Sequence, residues 1–120
     1  MYSEFALPND MDAYIRAIMG KEMTQSSVSL SKGEKLQWAQ SLNLKRKASE
    51  TDLILELWFK DNFSGNDFKG RMNLDLLKTN VFFENKSEHW LEIKNEEQKI
   101  VGKLFVNLEW KVISIKKRDN

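Results

Sequence analysis

Short segments in which apolar residues recur at every second position run along most of the chain. The segment 13–19 puts Ile15, Ala17 and Met19 on one side, and the segment 53–59 repeats the pattern. A period of two is typical of β-strands with one buried face, whereas an amphipathic helix needs a period of about 3.6 residues. Polar turn signals such as SKGEK and KRKASETD divide the segments. The pattern therefore predicts an all-β sandwich or barrel.

This alternation predicts seven strands. The predicted strands are AYIRAIM (13–19), SSVSL (26–30), LQWAQSLNLK (36–45), LILELWF (53–59), RMNLDLL (71–77), HWLEIK (89–94) and GKLFVNLEWKVI (102–113). The segment KTNVFFENKSE (78–88) is predicted to be a loop with a short helical turn. No stretch shows the pattern of a long amphipathic helix.

The length of 120 residues suits one domain, 1–120, whose C-terminal extension at 111–120 is expected to fray at its end. A net charge of +1 gives no overall attraction to nucleic acid or anionic lipid, so such attraction must come from local clusters. The longest apolar run is far shorter than the ~20 residues that span a bilayer. Membrane contact, if there is any, is therefore expected to be peripheral. The absence of cysteine and of a signal-peptide pattern suits an intracellular setting.

The sequence lacks the residue combinations that support most enzymatic chemistry. His89 is the single histidine, cysteine is absent, and no serine lies in a GxSxG context. Neither a GxxxxGKS/T phosphate loop nor zinc-ligand spacing is present. A nucleic-acid binder would carry a basic face with interleaved aromatic residues, which the cluster KRK alone does not provide. We therefore expect neither catalysis nor nucleic-acid binding.

Five segments of the chain resemble, in the same order, those of the C2 domain, a calcium- and phospholipid-binding β-sandwich. They are DAYIRAIMG (12–20), similar to the family's DPYV strand; EKLQW (34–38), similar to NPxW; LILELWFKDNFSGNDFKG (53–70), similar to VEVWDxDxxxxDDFIG; HWLEI (89–93), similar to WxxL; and GKLFVNLEW (102–110), similar to GxLxLxLEW. The resemblance spans residues 12–110. It implies an all-β, two-sheet antiparallel C2-type β-sandwich with its binding loops gathered at one end.

The chain departs from the family pattern near its beginning. Only MYSEFALP precedes the segment NDMDAY, so a first strand is not evident. A sandwich that lacks a strand would expose core surface and unpaired backbone groups. Three alternatives remain open: residues 2–7 form an abbreviated strand, the chain is a fragment, or a partner supplies the strand. In addition, Ala13 and Leu36 replace the family's two prolines.

The segment 55–70 is predicted to begin as a strand and to end as a loop rich in oxygen-bearing side chains, and the resemblance implies a calcium site there. Asp12, Asp61 and Asp67 match aspartates of the family's first and third loops, and Asp10 is a candidate for another. Phe59 stands where the family has an acid that bridges metals. Calcium takes about six to eight oxygen ligands. We therefore expect calcium binding to be weak or absent.

The resemblance also implies contact with lipid. Met11 and Phe63 match the loop tips that the family dips into the membrane. The family's phosphoinositide site on the concave β-groove matches Tyr14, Arg16, Trp58 and Asn66. That site's paired lysines are missing from the strand expected after Gly20. For Asn62 and Asn66 a role in turn formation alone is an equal alternative.

One basic cluster, Lys45, Arg46 and Lys47, could strengthen binding to an anionic surface by about 1 kcal/mol per residue. The alternative is a solvated strand end. Trp38, Trp90 and Trp110 are expected to pack in the core or on a sheet face, whereas Trp58 remains open to a binding role.

These features predict a non-catalytic, cytoplasmic module that associates peripherally with membranes. It would bind anionic phospholipid, with weak or absent dependence on calcium. The alternative is a calcium-independent protein interaction module that uses the sandwich faces or an exposed edge strand.

Overall fold

The computed structural model of the chain describes residues 2–5, 12–27, 35–37, 42–44, 49–61, 65–79 and 81–110. Within these residues the fold is almost entirely β-structure, with eight strands. They are β1 Tyr2–Phe5, β2 Asp12–Met19, β3 Glu22–Gln25, β4 Lys35–Gln37, β5 Asp52–Asp61, β6 Gly65–Asp75, β7 Lys86–Lys94 and β8 Ile100–Glu109. A 3-10 turn, Leu76–Lys78, and a short helix, α1 Val81–Glu84, connect β6 to β7.

The described strands are antiparallel and follow one order, β3-β2-β5-β6-β7-β8-β1-β4. Between β6 and β7 the one described pair joins Arg71 to Lys94, whereas β5 pairs with β6, and β7 with β8, along most of their lengths. The strands therefore divide into two four-stranded halves. We call β3-β2-β5-β6 the first sheet and β7-β8-β1-β4 the second sheet. This arrangement confirms the predicted two-sheet antiparallel β-sandwich.

The period-two alternation determines which side chains enter the core. The largest fully buried side chains come from both sheets: Ile15 and Leu57 from the first, Ile93 and Leu104 from the second. All four belong to one hydrophobic cluster. Each buried aliphatic side chain contributes about 1.5–3 kcal/mol to folding. The two sheets therefore stabilise each other through a shared core.

The chain does contain a first strand. Strand β1 pairs with β8, where Tyr2 lies opposite Phe105, and with β4, where Tyr2 lies opposite Gln37. Of the three alternatives that the sequence left open, the abbreviated strand is therefore the one observed. Its four residues place β1 between two partners, so its backbone groups take part in the second sheet.

Three of the predicted strands differ clearly from those observed. The predicted strand 71–77 is observed as Gly65–Asp75, and its last two residues belong to the 3-10 turn Leu76–Lys78. The third strand is Glu22–Gln25, and Ser26 and Ser27 of the predicted SSVSL segment follow it without strand structure. Of the predicted strand 36–45, strand structure is described for Lys35–Gln37, while residues 42–44 have none and the rest lies outside the described residues. Ser26 accepts a hydrogen bond from the Ile15 backbone N–H at 2.9 Å, so this serine fixes the exit from β3 against β2. The predicted helical turn within 78–88 is confirmed by α1.

The paired strands of the β5–β6 hairpin extend further than the sequence predicted from the polar residues of this segment. Phe59 pairs with Asp67 and Asp61 pairs with Gly65, so residues 65–70 belong to a strand and not to the predicted loop. The tip that joins the two strands is confined to residues 62–64, which lie outside the described residues. The polar side chains of this segment are therefore held at defined positions by strand pairing.

A β-bulge interrupts the pairing of this hairpin. Leu57 lies opposite Gly70 while the next residue, Trp58, lies opposite Phe68, so Lys69 is an extra residue in β6. Such an insertion reverses the alternation on one side of the bulge. A Cβ atom at Gly70 would lie 2.7 Å from Ile93 Cγ2 and 2.8 Å from the Lys94 carbonyl oxygen. Glycine is thus required where β6 approaches β7.

Candidate functional site

Three aromatic rings lie side by side on the outer face of the first sheet. Tyr14 of β2 stacks with Trp58 of β5, with ring centroids 6.4 Å apart and planes 9° apart. Phe68 of β6 meets Trp58 edge to face, with centroids 5.5 Å apart and an angle of 67°. The register explains the row, because Tyr14 pairs with Trp58 and Trp58 pairs with Phe68 across adjacent strands.

Two guanidinium groups lie over these rings. Arg16 places its Cζ atom 4.6 Å from the centroid of Trp58, and Arg71 places its Cζ atom 5.2 Å from the centroid of Phe68. A cation over a ring face is attracted by the ring quadrupole, typically by about 0.5–1 kcal/mol at exposed sites. The rings thus hold two planar cations on one face. We call Tyr14, Arg16, Trp58, Phe68 and Arg71 the arginine–aromatic face.

One buried acid supports this face. Glu56, which is 7% exposed, accepts a hydrogen bond from Trp58 Nε1 at 3.1 Å and forms an ion pair with Arg71 at 3.5 Å. The carboxylate therefore fixes the orientation of the indole and of one guanidinium group. It also offsets one of the two positive charges, so the face carries a smaller positive charge than its arginines alone suggest.

Two polar atoms of this face have no hydrogen-bond partner within the described part of the chain. They are the Tyr14 hydroxyl and Arg16 Nε, both of which are buried. Arg16 Nη2 donates to Gln25 Oε1 of β3 at 3.5 Å, which occupies another edge of the same guanidinium group. A buried donor without an acceptor costs about 1–3 kcal/mol. The face therefore contains hydrogen-bonding capacity that the described residues do not use.

Three of the four predicted phosphoinositide residues lie together in the structure. Tyr14, Arg16 and Trp58 lie together on the arginine–aromatic face, while Asn66 is exposed and pairs with Lys60 nearer the hairpin tip. Strand β3 carries no lysine, in agreement with the missing paired lysines. Met11, Phe63, Lys45, Arg46 and Lys47 lie outside the described residues, so their roles remain predictions.

The predicted metal ligands lie at the same end of the first sheet. Asp12 begins β2 and pairs with Lys60, while Asp61 ends β5 and pairs with Gly65. Asp67 pairs with Phe59, and its Oδ2 atom lies 3.6 Å from Lys69 Nζ. Asp10 lies outside the described residues. Among the residues that are described, no group of three acidic, histidine or cysteine side chains is arranged to hold a metal ion.

These contacts argue against a good calcium site. Phe59, buried at 4% exposure, offers no oxygen at a position where the family has an acid. Lys69 brings a positive charge to Asp67, and its Nζ atom also lies 5.1 Å from the centroid of the Phe59 ring. Calcium needs about six to eight oxygen ligands, which the described donors do not provide. The described donors alone therefore do not complete a calcium site, and weak or absent calcium binding stays a prediction.

Sequence reasoning missed several residues of this region: Glu56, Phe68, Lys69 and Arg71. Strict alternation along β6 would put Phe68 and Arg71 on opposite faces, since they are three residues apart. The bulge at Lys69 brings both to the outer face. The one available signal was the glycine at position 70, because glycine inside a strand often marks a bulge.

Trp90 and Trp110 pack on the molecule as aromatic residues of a sheet face do. Trp90 is 47% exposed and contacts Phe105 with centroids 5.3 Å apart. Trp110 meets Phe82 edge to face at 5.2 Å and packs against the core cluster. Trp38 lies outside the described residues.

One pair of side chains resembles part of a hydrolase site. His89 Nε2 lies 2.8 Å from Ser87 Oγ, two residues earlier on β7. A working dyad needs a third group that orients the imidazole and donors that stabilise an oxyanion. Among the described residues, no hydrogen bond to the other ring nitrogen of His89 is found. The contact is thus explained as a local one along a strand.

An open groove follows the junction between the two sheets. Its volume is ≈ 720 Å³, and its lining includes Phe68, Arg71, Trp90 and Lys94. The groove exists because β6 and β7 are joined by the single described pair Arg71–Lys94. The groove adjoins the arginine–aromatic face, with which it shares Phe68 and Arg71.

The fold and the site together define a class of protein: an antiparallel β-sandwich that carries an arginine–aromatic face on one sheet. The family model of the C2 domain matches residues 4–93, and the chain belongs to the C2 domain family. Domains of this family are generally non-catalytic binding modules that bind lipid or target membranes, and they commonly bind calcium. No helix among the described residues is long and apolar enough to cross a membrane.

Solved structures agree with this assignment. A C2 domain-containing protein superposes with a TM-score of 0.71 at 19% identity, over 92% of this chain and 86% of the other. A fragment of extended-synaptotagmin 2 that holds two C2 domains gives 0.60 at 24% identity, over 92% of this chain and 38% of the other. Its calcium-bound form gives 0.55 at 22% identity, over 91% and 44%. These likenesses show the fold, and the chain spans less than half of either synaptotagmin fragment. No curated protein sequence matches the chain.

Proposed function

We propose that the chain is a non-catalytic module that binds anionic phospholipid at the cytoplasmic surface of a membrane, without requiring calcium. The observation that carries the proposal is the arginine–aromatic face, where Arg16 and Arg71 lie over Trp58 and Phe68. The family supports membrane targeting in general. The choice of ligand and the independence from calcium are our inference from this face and from the hairpin end.

Guanidinium groups suit a lipid phosphate for geometric reasons. A planar guanidinium can donate two parallel hydrogen bonds to one phosphate, and such charge-assisted bonds are roughly twice as strong as neutral ones. The rings below Arg16 and Arg71 restrict the motion of both side chains, so less conformational entropy is lost on binding. The Arg71 side chain is 60% exposed and is therefore accessible to a headgroup.

The unused donors support the same ligand class. The Tyr14 hydroxyl and Arg16 Nε are buried, so they could donate to a phosphate or headgroup oxygen only after the side chains of this face shift to admit it. A phosphorylated headgroup carries several acceptors, so it can satisfy more than one donor at once. A neutral apolar ligand would leave these donors without acceptors, so the free-energy penalty of the unsatisfied donors would remain in the complex.

The predicted loop residues would add a second attraction. Met11 and Phe63 are expected to insert apolar side chains into the lipid, while Lys45, Arg46 and Lys47 would add electrostatic attraction of about 1 kcal/mol each. One apolar wedge alone anchors a domain only marginally, so we expect both kinds of contact to act together.

The proposal is tested by vesicle sedimentation with the purified chain. The vesicles contain phosphatidylcholine alone, with phosphatidylserine, or with a phosphoinositide, each in calcium and in chelator. We expect binding to anionic vesicles in both conditions. The double variant Arg16→Ala/Arg71→Ala should bind about 30-fold more weakly, since each basic residue contributes about 1 kcal/mol near an anionic surface.

The matched control is the double variant Lys86→Ala/Lys103→Ala, which removes the same charge from the outer face of the second sheet. We expect its affinity to change by about threefold or less, through long-range electrostatics alone. Equal losses in both double variants would contradict a specific face. Failure of the folded wild-type chain to bind any vesicle would overturn the proposal.

A second candidate function is calcium-independent protein interaction. The groove between β6 and β7 supports it, because strand edges that flank the Arg71–Lys94 pair could accept an extended peptide. The variant Trp90→Ala changes a residue that lines the groove, so it should abolish peptide binding there and leave vesicle binding unchanged. If the wild-type chain bound no vesicle but bound a peptide, and Trp90→Ala lost that peptide binding, the second function would be assigned.

A further inference from the structure

Two departures from the family pattern contact each other in the β5–β6 hairpin. In the segment that resembles VEVWDxDxxxxDDFIG, Phe59 takes the place of the first acid and Lys69 takes the place of the isoleucine. The Lys69 Nζ atom lies 5.1 Å from the centroid of the Phe59 ring. A carboxylate has been exchanged for an aromatic ring at one position and an apolar side chain for a cation at the other.

The bulge explains how these residues meet. Asp67 lies directly opposite Phe59, and Lys69 is the extra residue that follows two positions later. The side chain of Lys69 turns back along β6, so that Nζ lies 3.6 Å from Asp67 Oδ2. The ammonium group therefore lies between the first and the third position of the family's DxDxxxxxD pattern.

We propose that Lys69 is a built-in cation that takes the place of a metal ion near the tip of this hairpin. Its ammonium group neutralises Asp67 and is held by the Phe59 ring, which closes the position to divalent cations and makes the hairpin end independent of them. This inference rests on the proposed calcium-independent function and names the residues responsible for it.

Neither departure alone accounts for the effect. With aspartate at position 59 and Lys69 retained, the ammonium group would pair with two carboxylates and would still compete with a metal. With isoleucine at position 69 and Phe59 retained, Asp67 would be free of its cation but one ligand would still be missing. Calcium binding should therefore appear only when both positions are changed.

The experiment compares four proteins: wild type, Phe59→Asp, Lys69→Ile and the double variant. Calcium binding is measured by isothermal titration calorimetry and by the shift of Tm between excess calcium and chelator. We expect the double variant to bind calcium with Kd of about 0.1–1 mM, the range of weak natural sites. A few millimolar calcium should then raise its Tm by about 4 °C.

The wild type and both single variants should bind calcium at least about tenfold more weakly and show no calcium-dependent shift in Tm. Wild-type binding as tight as that of the double variant would overturn the inference. So would a folded double variant that does not respond to calcium. Vesicle binding is a separate readout: if the folded wild type bound no vesicle in either calcium or chelator, the proposed function would be overturned, while the calcium titrations would still decide the assignment of Lys69.

Phe59 is buried, and its replacement by aspartate could prevent folding. A second measurement avoids this change: a double-mutant cycle of Lys69→Ile and Asp67→Asn, read as Tm in chelator. The matched control is the cycle of Lys99→Ile and Glu97→Gln, an ion pair at 3.5 Å with the same spacing, whose side chains are 75% and 74% exposed. We expect a coupling at Lys69–Asp67 at least twice that of the control. Equal couplings would contradict a special role for Lys69.

Discussion

The two outer faces of the sandwich use the same residue types in different arrangements. On the first sheet, Arg16 and Arg71 lie over aromatic rings, and one buried acid, Glu56, supports them. On the second sheet, Trp90 contacts Phe105, and the charges beside them alternate across the strands. There Glu92 lies opposite Lys103 and Lys86 lies opposite Glu109.

This difference shows that the potential a face offers to an anionic ligand depends more on how its charges are arranged than on how many there are. On the first face one acid, Glu56, lies opposite both Arg16 and Arg71. On the second face Lys86 and Lys103 each have their own opposed acid, and such pairs leave little potential for a ligand. Guanidinium groups held over rings keep their hydrogen-bonding edges free for an external acceptor. A chain with a net charge of +1 can therefore carry a local anion-binding surface on one face only.

The largest expected effect tests whether the two sheets form one folding unit. Leu57→Ala in the first sheet and Leu104→Ala in the second each remove a fully buried side chain. Each should lower the free energy of unfolding by about 2–5 kcal/mol. Urea titration followed by tryptophan fluorescence and by circular dichroism should give one coincident transition for each variant. Separate transitions would mean that the two sheets are independent folding units and do not share one core.

A smaller effect on vesicle affinity distinguishes Trp58 of the first face from Trp90 of the second. Trp58→Ala removes the ring below Arg16 and the stacking partner of Tyr14. It should lower affinity for anionic vesicles about two- to fivefold, which corresponds to one cation–π contact. Trp90→Ala, the matched change on the second face, should leave vesicle affinity unchanged. A larger loss with Trp90→Ala would move the binding surface to the second sheet.

The smallest effect concerns the opposed charges of the second face. Lys103→Ala removes the partner across from Glu92 and should destabilise the fold by about 0.2–1 kcal/mol. The loss should shrink in high salt, because exposed ion pairs are screened. Thermal unfolding at low and high ionic strength measures this. An effect that does not change with salt would contradict an electrostatic origin.

Much of the fold could be predicted from the sequence because the buried strands alternate regularly. Strand β2, with Ile15 buried, and strand β5, with Leu57 buried, were located from period two alone. Strand β3 was missed because its residues EMTQ contain one apolar side chain, Met23, and that side chain is 57% exposed. An edge strand with no buried face leaves no periodic signal.

The candidate site was less predictable because it depends on strand register. The resemblance located Tyr14, Arg16 and Trp58, which the structure brings together on one face. It did not locate Phe68 or Lys69, because a bulge cannot be inferred from residue types when alternation is assumed to continue. Contacts between neighbouring strands, such as that of Lys69 with Phe59, become evident only once the pairing is known.

The bulge at Lys69 has a consequence for insertions and deletions. A point substitution at position 69 changes one side chain and leaves the pairing of β5 with β6 in place. Deletion of this single codon would leave Phe68 two positions before Arg71, so that uninterrupted alternation would keep both side chains on the outer face. Position 69 is therefore a place where the hairpin can lose one residue without exchanging its two faces.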